Sequence, residues 1–348
     1  MTKRGTTDAR LPPGPTMNRY VLARLGQALL VLWAAYTVSF VVLYALPGDP
    51  VSLMYGSDSS DVTPAQLDAL RAQYGLDQPL PAQYVTHLGA ALHGDLGSSV
   101  VLHRPVAALI ADAVPSTASI AAAAFLLALV VGGGLAVVAT LARSRGLSNA
   151  LLGLPPLGVA IPSFWFGLML VQWFSFAHPI FPAVGNKGFS SIVLPAVTLA
   201  VPTAAIIAQM LSRSLQHSLR QPYVDTARAK GAGPVRVHFR HALRNASLPA
   251  LTVIGLVIGE LLAGAVVTET VFSRPGIGRL TATSVSAQDI PVVQGIVLFA
   301  AAVFVLVNLA VDLLYPLLDP RIVRHPRAAK VAPGAQAAPA LEPATAGV

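Results

Sequence analysis

The chain has 348 residues, 54% of them apolar and only 11% charged, with 23 Lys and Arg against 15 Asp and Glu and no cysteine. A soluble domain carries about a quarter charged residues, so this composition, concentrated in apolar blocks, demands lipid as solvent. The missing thiols exclude disulfides, thiolate metal sites, iron–sulfur clusters and cysteine nucleophiles. The cations flank apolar blocks with no interleaved aromatics, which marks membrane topology and not a nucleic-acid surface.

Residues 1–18 read as a disordered tail. Lys3, Arg4, Arg10, Arg19 and Arg24 precede an apolar run from Ala28 to Leu46 that is long for a signal peptide and has no small-residue cleavage site. An uncleaved first transmembrane helix over 19–46 is expected. The next segment, 47–114, holds seven Asp and two Arg. Turn signals at Thr63-Pro64 and Leu80-Pro81 separate apolar-periodic stretches at 64–74 and 82–92, which predicts a small helical domain outside the membrane. His87, His93 and His103 in this domain lack tight ligand spacing, so no metal site is expected.

A transmembrane core follows over 115–323. Across the whole chain six segments are long enough to cross a hydrocarbon layer of about 30 Å: 22–46, 115–140, 150–176, 191–212, 249–271 and 294–318. Pro155, Pro156 and Pro162 predict a kinked third crossing. If the N-terminus is cytoplasmic, 18 Lys and Arg lie inside and five outside (Arg71, Arg104, Lys187, Arg274, Arg279). The positive-inside rule then places both termini in the cytoplasm. Residues 324–348 read as a second, Ala- and Pro-rich disordered tail.

The loop 213–248 carries a punctuated short helix, Gln221-Pro222-Tyr223-Val224-Asp225-Thr226-Ala227-Arg228-Ala229-Lys230-Gly231. Pro222 suits a first turn, Asp225 lies near the positive dipole end, Arg228 and Lys230 lie near the negative end, and Gly231 suits a left-handed stop. A second helical stretch is expected from Pro234 to Asn245, with Pro249 opening the fifth crossing. Composition alone leaves two readings of this basic loop: headgroup contact or docking on a soluble partner.

Within apolar helices, Glu260 and Asp312 are costly and mark a pathway, a subunit contact or an internal packing bond. Gly255, Gly259, Ala263 and Gly264 predict close helix contact through the fifth crossing. Too few mid-membrane charges and no evident inverted repeat argue against a gradient-driven carrier. No histidine lies deep enough for haem ligation.

The ordered motifs identify a resemblance. Asp225-Thr226-Ala227…Gly231…Leu248-Pro249 resembles the EAA loop of bacterial ABC importer permeases, with Asp and Thr where the general pattern has Glu and Ala. Ala227-Arg228-Ala229-Lys230-Gly231, followed by Arg240-His241-Ala242-Leu243-Arg244-Asn245-Ala246, resembles the dipeptide/oligopeptide/nickel branch. Leu46-Pro47-Gly48-Asp49-Pro50 after the first helix resembles its first-permease type, and Gly94-Asp95-Leu96-Gly97-Ser98-Ser99 and Glu269-Thr270-Val271-Phe272 with Arg274-Pro275-Gly276-Ile277-Gly278 resemble the same family. Val311-Asp312-Leu313-Leu314-Tyr315 with Asp319-Pro320-Arg321 completes the set.

The resemblance implies an all-α, six-helix, type I ABC importer permease with an extracytoplasmic helical insertion between helices 1 and 2, in a bacterial inner membrane. It implies a second permease, two ATPase subunits, an extracytoplasmic binding protein and short-peptide cargo. Asp225, Thr226, Ala227, Arg228, Ala229, Lys230 and Gly231 are expected to couple to the ATPases. The segment with Arg274, Pro275, Gly276, Gly278, Arg279 and Asp289 is expected to meet the binding protein, and Glu260 and Asp312 the translocation path or the second permease. The chain has no Walker-type loop, so no residue is expected to be catalytic and no cofactor is expected in it. ATP and Mg would belong to the partner ATPases.

Overall fold

A computed structural model describes residues 17–44 and 77–318, with side chains at 21–44, 77–247 and 256–312. The Leu46–Pro50 motif, the 64–74 stretch, Asp319-Pro320-Arg321 and both predicted tails beyond these bounds lie outside the described residues. The described residues fold as helices in the order α1 (Met17–Tyr44), α2 (Leu80–Leu92), α3 (Val106–Leu141), α4 (Arg145–Ala160), α5 (Ser163–Val171), α6 (Ser190–Leu219), α7 (Pro222–Ala229), α8 (Pro234–Arg236), α9 (Leu243–Val271), α10 (Ile277–Ser286) and α11 (Ile290–Leu318).

Among the described residues, four helices are long and apolar enough to cross a membrane: Val21–Tyr44, Val106–Leu141, Ser190–Leu219 and Ile290–Asp312. The pair α4 and α5 adds a fifth crossing if it is counted as one span. The segment predicted as the fifth crossing, 249–271, lies within α9, a continuous helix of 29 residues and so about 43 Å long at 1.5 Å per residue.

Several elements depart from the expected boundaries. The third crossing is not a gently kinked helix: α4 and α5 meet at 93°. Ile161 there is extended (φ −76°, ψ 123°), as the ring of Pro162 requires of the residue before it. Pro249 does not open the fifth crossing, because the helix already runs from Leu243. The stretch after Pro234 reaches it through a π-helical turn, Val237–Ala242.

Helices in lipid gain little from apolar burial alone, so close backbone approach through small residues decides how they pack. The seam between α3 and α6 shows this directly. Ala124, Ala128, Gly132 and Ala136 recur every fourth residue on α3, and Ala196, Ala200, Ala204 and Ala208 do the same on α6; all eight are buried. A Cβ at Gly132 would overlap the Ala204 carbonyl. Val257 and Leu261 of α9 complete the same apolar cluster.

Two further clusters define the ends of the bundle. Ala136, Leu211, Leu215, Ala242 and Ala246 close the end that carries α7. Val106, Leu109, Ile110, Ala113, Ile277, Val292 and Ile296 close the opposite end, beside α2. On α9, Gly264 approaches Leu199 closely, whereas a Cβ at Gly259 would only touch Phe304. The tightest small-residue contact therefore lies between α3 and α6.

Gly132→Ala should lower the melting temperature of the detergent-solubilised chain, by an overpacking penalty of about 1–3 kcal/mol. Gly133→Ala, at a mid-helix site with open space beside it, should leave it unchanged or raise it by the propensity gain of up to about 1 kcal/mol; thermal unfolding of the two variants side by side checks the seam.

Candidate functional site

Helix α7 forms because each of its ends is chemically specified. Gln221 is extended (φ −80°, ψ 145°), and Pro222 starts the helix with the fixed φ a first turn needs. At its other end the Gly231 N–H donates to the Arg228 carbonyl (2.9 Å) and the Ala232 N–H to the Ala227 carbonyl (3.1 Å). These are the two bonds of a Schellman stop, with Gly231 in the left-handed region at φ +83°.

One face of α7 is fastened to the bundle. Val224 and Ala227 are buried against Val237, with Leu219 and Ala232 around them. Tyr223, Asp225, Thr226, Arg228, Ala229 and Lys230 are exposed. Asp225 and Arg228 form an exposed pair at 3.3 Å, which adds little stability in water. Val235 and Phe239 are exposed close by in sequence, as are Arg236, Arg240 and Arg244. The result is a rigid helix with an unused polar face, apolar side chains and a basic surround.

The opposite end is built on a different principle. Three ionisable residues of one short segment, Glu269, Arg274 and Asp289, are 0%, 1% and 2% exposed, and each fastens a different part of the chain. Buried charged groups hold their place only when hydrogen-bonded.

The Thr117 hydroxyl of α3 donates to Glu269 Oε1 (2.6 Å), and the Arg279 N–H donates to Oε2 (3.1 Å). Thr117 Oγ1 in turn accepts the Ile277 N–H at 2.8 Å. A Cβ at Gly276 would overlap the Glu269 carboxylate, and one at Gly278 would overlap the backbone of Val266. Glycine at these two positions lets the chain fold back over its own helix.

The Arg274 guanidinium donates from Nη1 to the carbonyls of Gly185 (3.1 Å) and Ser191 (2.8 Å) and to Ser191 Oγ, and from Nη2 to Asn186 Oδ1. Burial pulls its pKa down, and the Glu269 carboxylate opposes that shift. The loop between α5 and α6 is thereby held against the end of α9.

Asp289 holds the Gly94–Ser99 motif. It accepts the Ser99 hydroxyl and the N–H groups of Val100 (3.3 Å) and Val101 (3.4 Å). The motif itself turns through Gly94 and Gly97, both at positive φ, with the Gly97 N–H donating to Asp95 Oδ1 at 2.9 Å.

These placements correct the sequence reading of the segment. Arg274, Gly276, Gly278 and Asp289 are buried, so they shape the loop from within, and their side chains are not free for a partner. Pro275 and Arg279 remain exposed. Turn residues in this segment serve internal packing and not only the surface. The missed partners Thr117 and Asn186 are single hydroxyl or amide residues with no local pattern to mark them, and Ser99 ends a motif that gives no sign of its bond to Asp289.

Glu260 is exposed on α9 between Leu256 and Ala263, also exposed. Asp312 is partly exposed and pairs with Arg24 Nε at 3.2 Å, tying α11 to α1 near the α7 end. The structure does not bring Glu260 and Asp312 together in one bonded group.

The described residues thus form a bundle of helices long and apolar enough to cross a membrane, with a bonded loop cluster at one end and an exposed short helix at the other. The family described as "Binding-protein-dependent transport system inner membrane component" matches residues 128–324. A second model, for the N-terminal part of such membrane components, matches residues 17–121. The chain belongs to this family and is a multi-pass membrane permease.

Among individual proteins, it is 37% identical over 314 residues to a "Putative peptide transport system permease protein" of Brucella abortus (strain 2308), covering 88% of this chain and 99% of that protein. It is 36% identical over 340 residues to the dipeptide transport system permease protein DppB of Escherichia coli (strain K12), covering 89% and 99% respectively.

Thr117→Val would strip Glu269 and the Ile277 N–H of their shared partner, so the chain should lose about 2–4 kcal/mol of stability as two buried groups go unsatisfied. Thr117→Ser, which keeps the hydroxyl, should retain most of it. Comparing their melting temperatures in one detergent checks the assignment.

Proposed function

We propose that this chain is one of two permeases forming the translocation path of an ATP-driven importer of short peptides. An extracytoplasmic binding protein delivers the cargo and two partner ATPases supply the energy. The peptide and dipeptide transport names of its relatives support the cargo class. Basic residues concentrated at the α7 end support a cytoplasmic location for that end and for both termini.

The single observation that carries the coupling role is the construction of α7. A helix anchored by two buried side chains and closed by a Schellman stop can move only with the bundle, while its exposed face is free to seat in a partner. Force applied by an ATPase to Tyr223, Asp225, Thr226, Arg228, Ala229 or Lys230 would pass through Val224 and Ala227 into α6 and the turn that leads to α9. Glu260, exposed on α9, then meets the path or the second permease, since an ionised carboxylate does not stay against lipid. At the other end, Pro275 and Arg279 are the members of the buried segment available to the binding protein.

Gly231→Pro tests this reading. Proline cannot adopt φ +83° and lacks the N–H that bonds Arg228. ATP-dependent peptide uptake by the reconstituted complex should fall to background while the variant still inserts into the membrane. Uptake at the normal rate would remove α7 from the coupling path.

A further inference from the structure

The outer insertion contains one described helix, α2, and its chemistry does not match that of a helix surrounded by water. From Leu80 to Leu92 it has no charged residue. Its outward face carries Ala82, Val85, Thr86 and Leu92, with Leu80 at its start. Leu80, Val85 and Leu92 are 46%, 68% and 79% exposed.

The opposite face of α2 lies along α1. The Tyr84 hydroxyl and Thr37 Oγ1 are 2.8 Å apart, the Tyr84 ring meets Phe40 edge-on at 5.3 Å, and His87 meets Tyr44 at 5.6 Å. Contacts at Tyr84 and His87 therefore follow those at Thr37 and Tyr44 in the same chain direction, so α2 runs beside the last two turns of a membrane-crossing helix. Tyr44 and His87 pair at the end of α1, and Tyr side chains settle at a membrane–water boundary. Burial pulls the His87 imidazole below its ordinary range, against the opposing pull of Asp95. A neutral ring suits that boundary.

On α1, Val38, Val41 and Val42 are themselves exposed. They belong to the apolar span Val21–Tyr44, which is long and apolar enough to cross a membrane. The uncovered face of α2 continues this surface with side chains of the same kind. A peripheral helix with apolar residues outward and no charge to hold it in water sinks to the headgroup–acyl boundary.

We propose that α2 flanks α1 through the outer boundary of the bilayer, with Val85 against acyl chains beside Thr37–Phe40 and Leu92 at the headgroup level just past Tyr44. The insertion is thereby tethered to the bilayer beside α1, in place of standing clear of it as an aqueous cap. This placement follows from α1 and α2 alone and does not depend on the identity of the cargo or of the ATPases.

Because the chain has no cysteine, single-cysteine variants give an unambiguous test. The full chain carrying Val85→Cys or Leu92→Cys is spin-labelled in phosphatidylethanolamine–phosphatidylglycerol nanodiscs, with Val38→Cys as the lipid reference and Gln288→Cys as the water reference. Accessibility to dissolved oxygen and to a water-soluble nickel chelate is then measured. The Val85 label should match the Val38 label, with oxygen access dominating, and the Leu92 label should fall between the two references. Chelate access like that at Gln288 would overturn the proposal by placing the face in water. Low access to both reagents would overturn it equally, by showing that protein covers the face.

Discussion

Close approach of α3 to α6 is the constraint around which this molecule is arranged. In lipid there is no surplus hydrophobic force to pull two apolar helices together, so contact must come from packing at short range. Eight small residues in matched four-residue steps, with Gly132 against the Ala204 carbonyl, provide it. Once α3 and α6 are joined, α9 lays Val257 and Leu261 into the same seam, and α4 approaches α6 through Gly158. The bundle can then carry a displacement as one body, because close-packed small residues leave no slack to absorb it.

The two ends of that body are finished in opposite ways. At one end Glu269, Arg274 and Asp289 turn inward and stitch α3, the 185–191 loop and the Gly94–Ser99 loop to the segment that follows α9. Each would be expensive to bury alone, and each is held by several donors or acceptors from distant parts of the chain. At the other end the polar side chains of α7 turn outward, and only two small apolar residues are buried. A stitched end and a presented end fit a proposed permease that receives cargo on one side of the membrane and mechanical work on the other.

Much of this was legible in the sequence, for identifiable reasons. Long apolar runs announce helices in lipid because no other backbone state satisfies itself there, and five of the six expected crossings contain, or lie almost wholly within, one continuous helix in the described residues. Pro222 and Gly231 marked α7 because their backbone preferences are local. What escaped was set by contacts far apart in the chain. Asp289 and Ser99 are separated by 190 positions, and nothing around either residue announces the other. The 93° break at Pro162 also escaped, since a proline shows where a helix stops and not where the next one points. The α3–α6 seam also escaped: the small residues singled out in the sequence, Gly255, Gly259, Ala263 and Gly264, lie on α9, whereas the close approach is at Gly132.

Coupling through α7 requires that this permease work only as part of an assembly. Its most direct test is purification of the chain from native membranes in a mild detergent, with mass spectrometry of the intact complex. A second, related permease and ATPases carrying Walker-type loops should accompany it, and a cross-linker placed at Asp225 should join it to an ATPase. A stable complex with no ATPase under gentle conditions, or an ATPase that cross-links elsewhere and never at Asp225, would contradict the account.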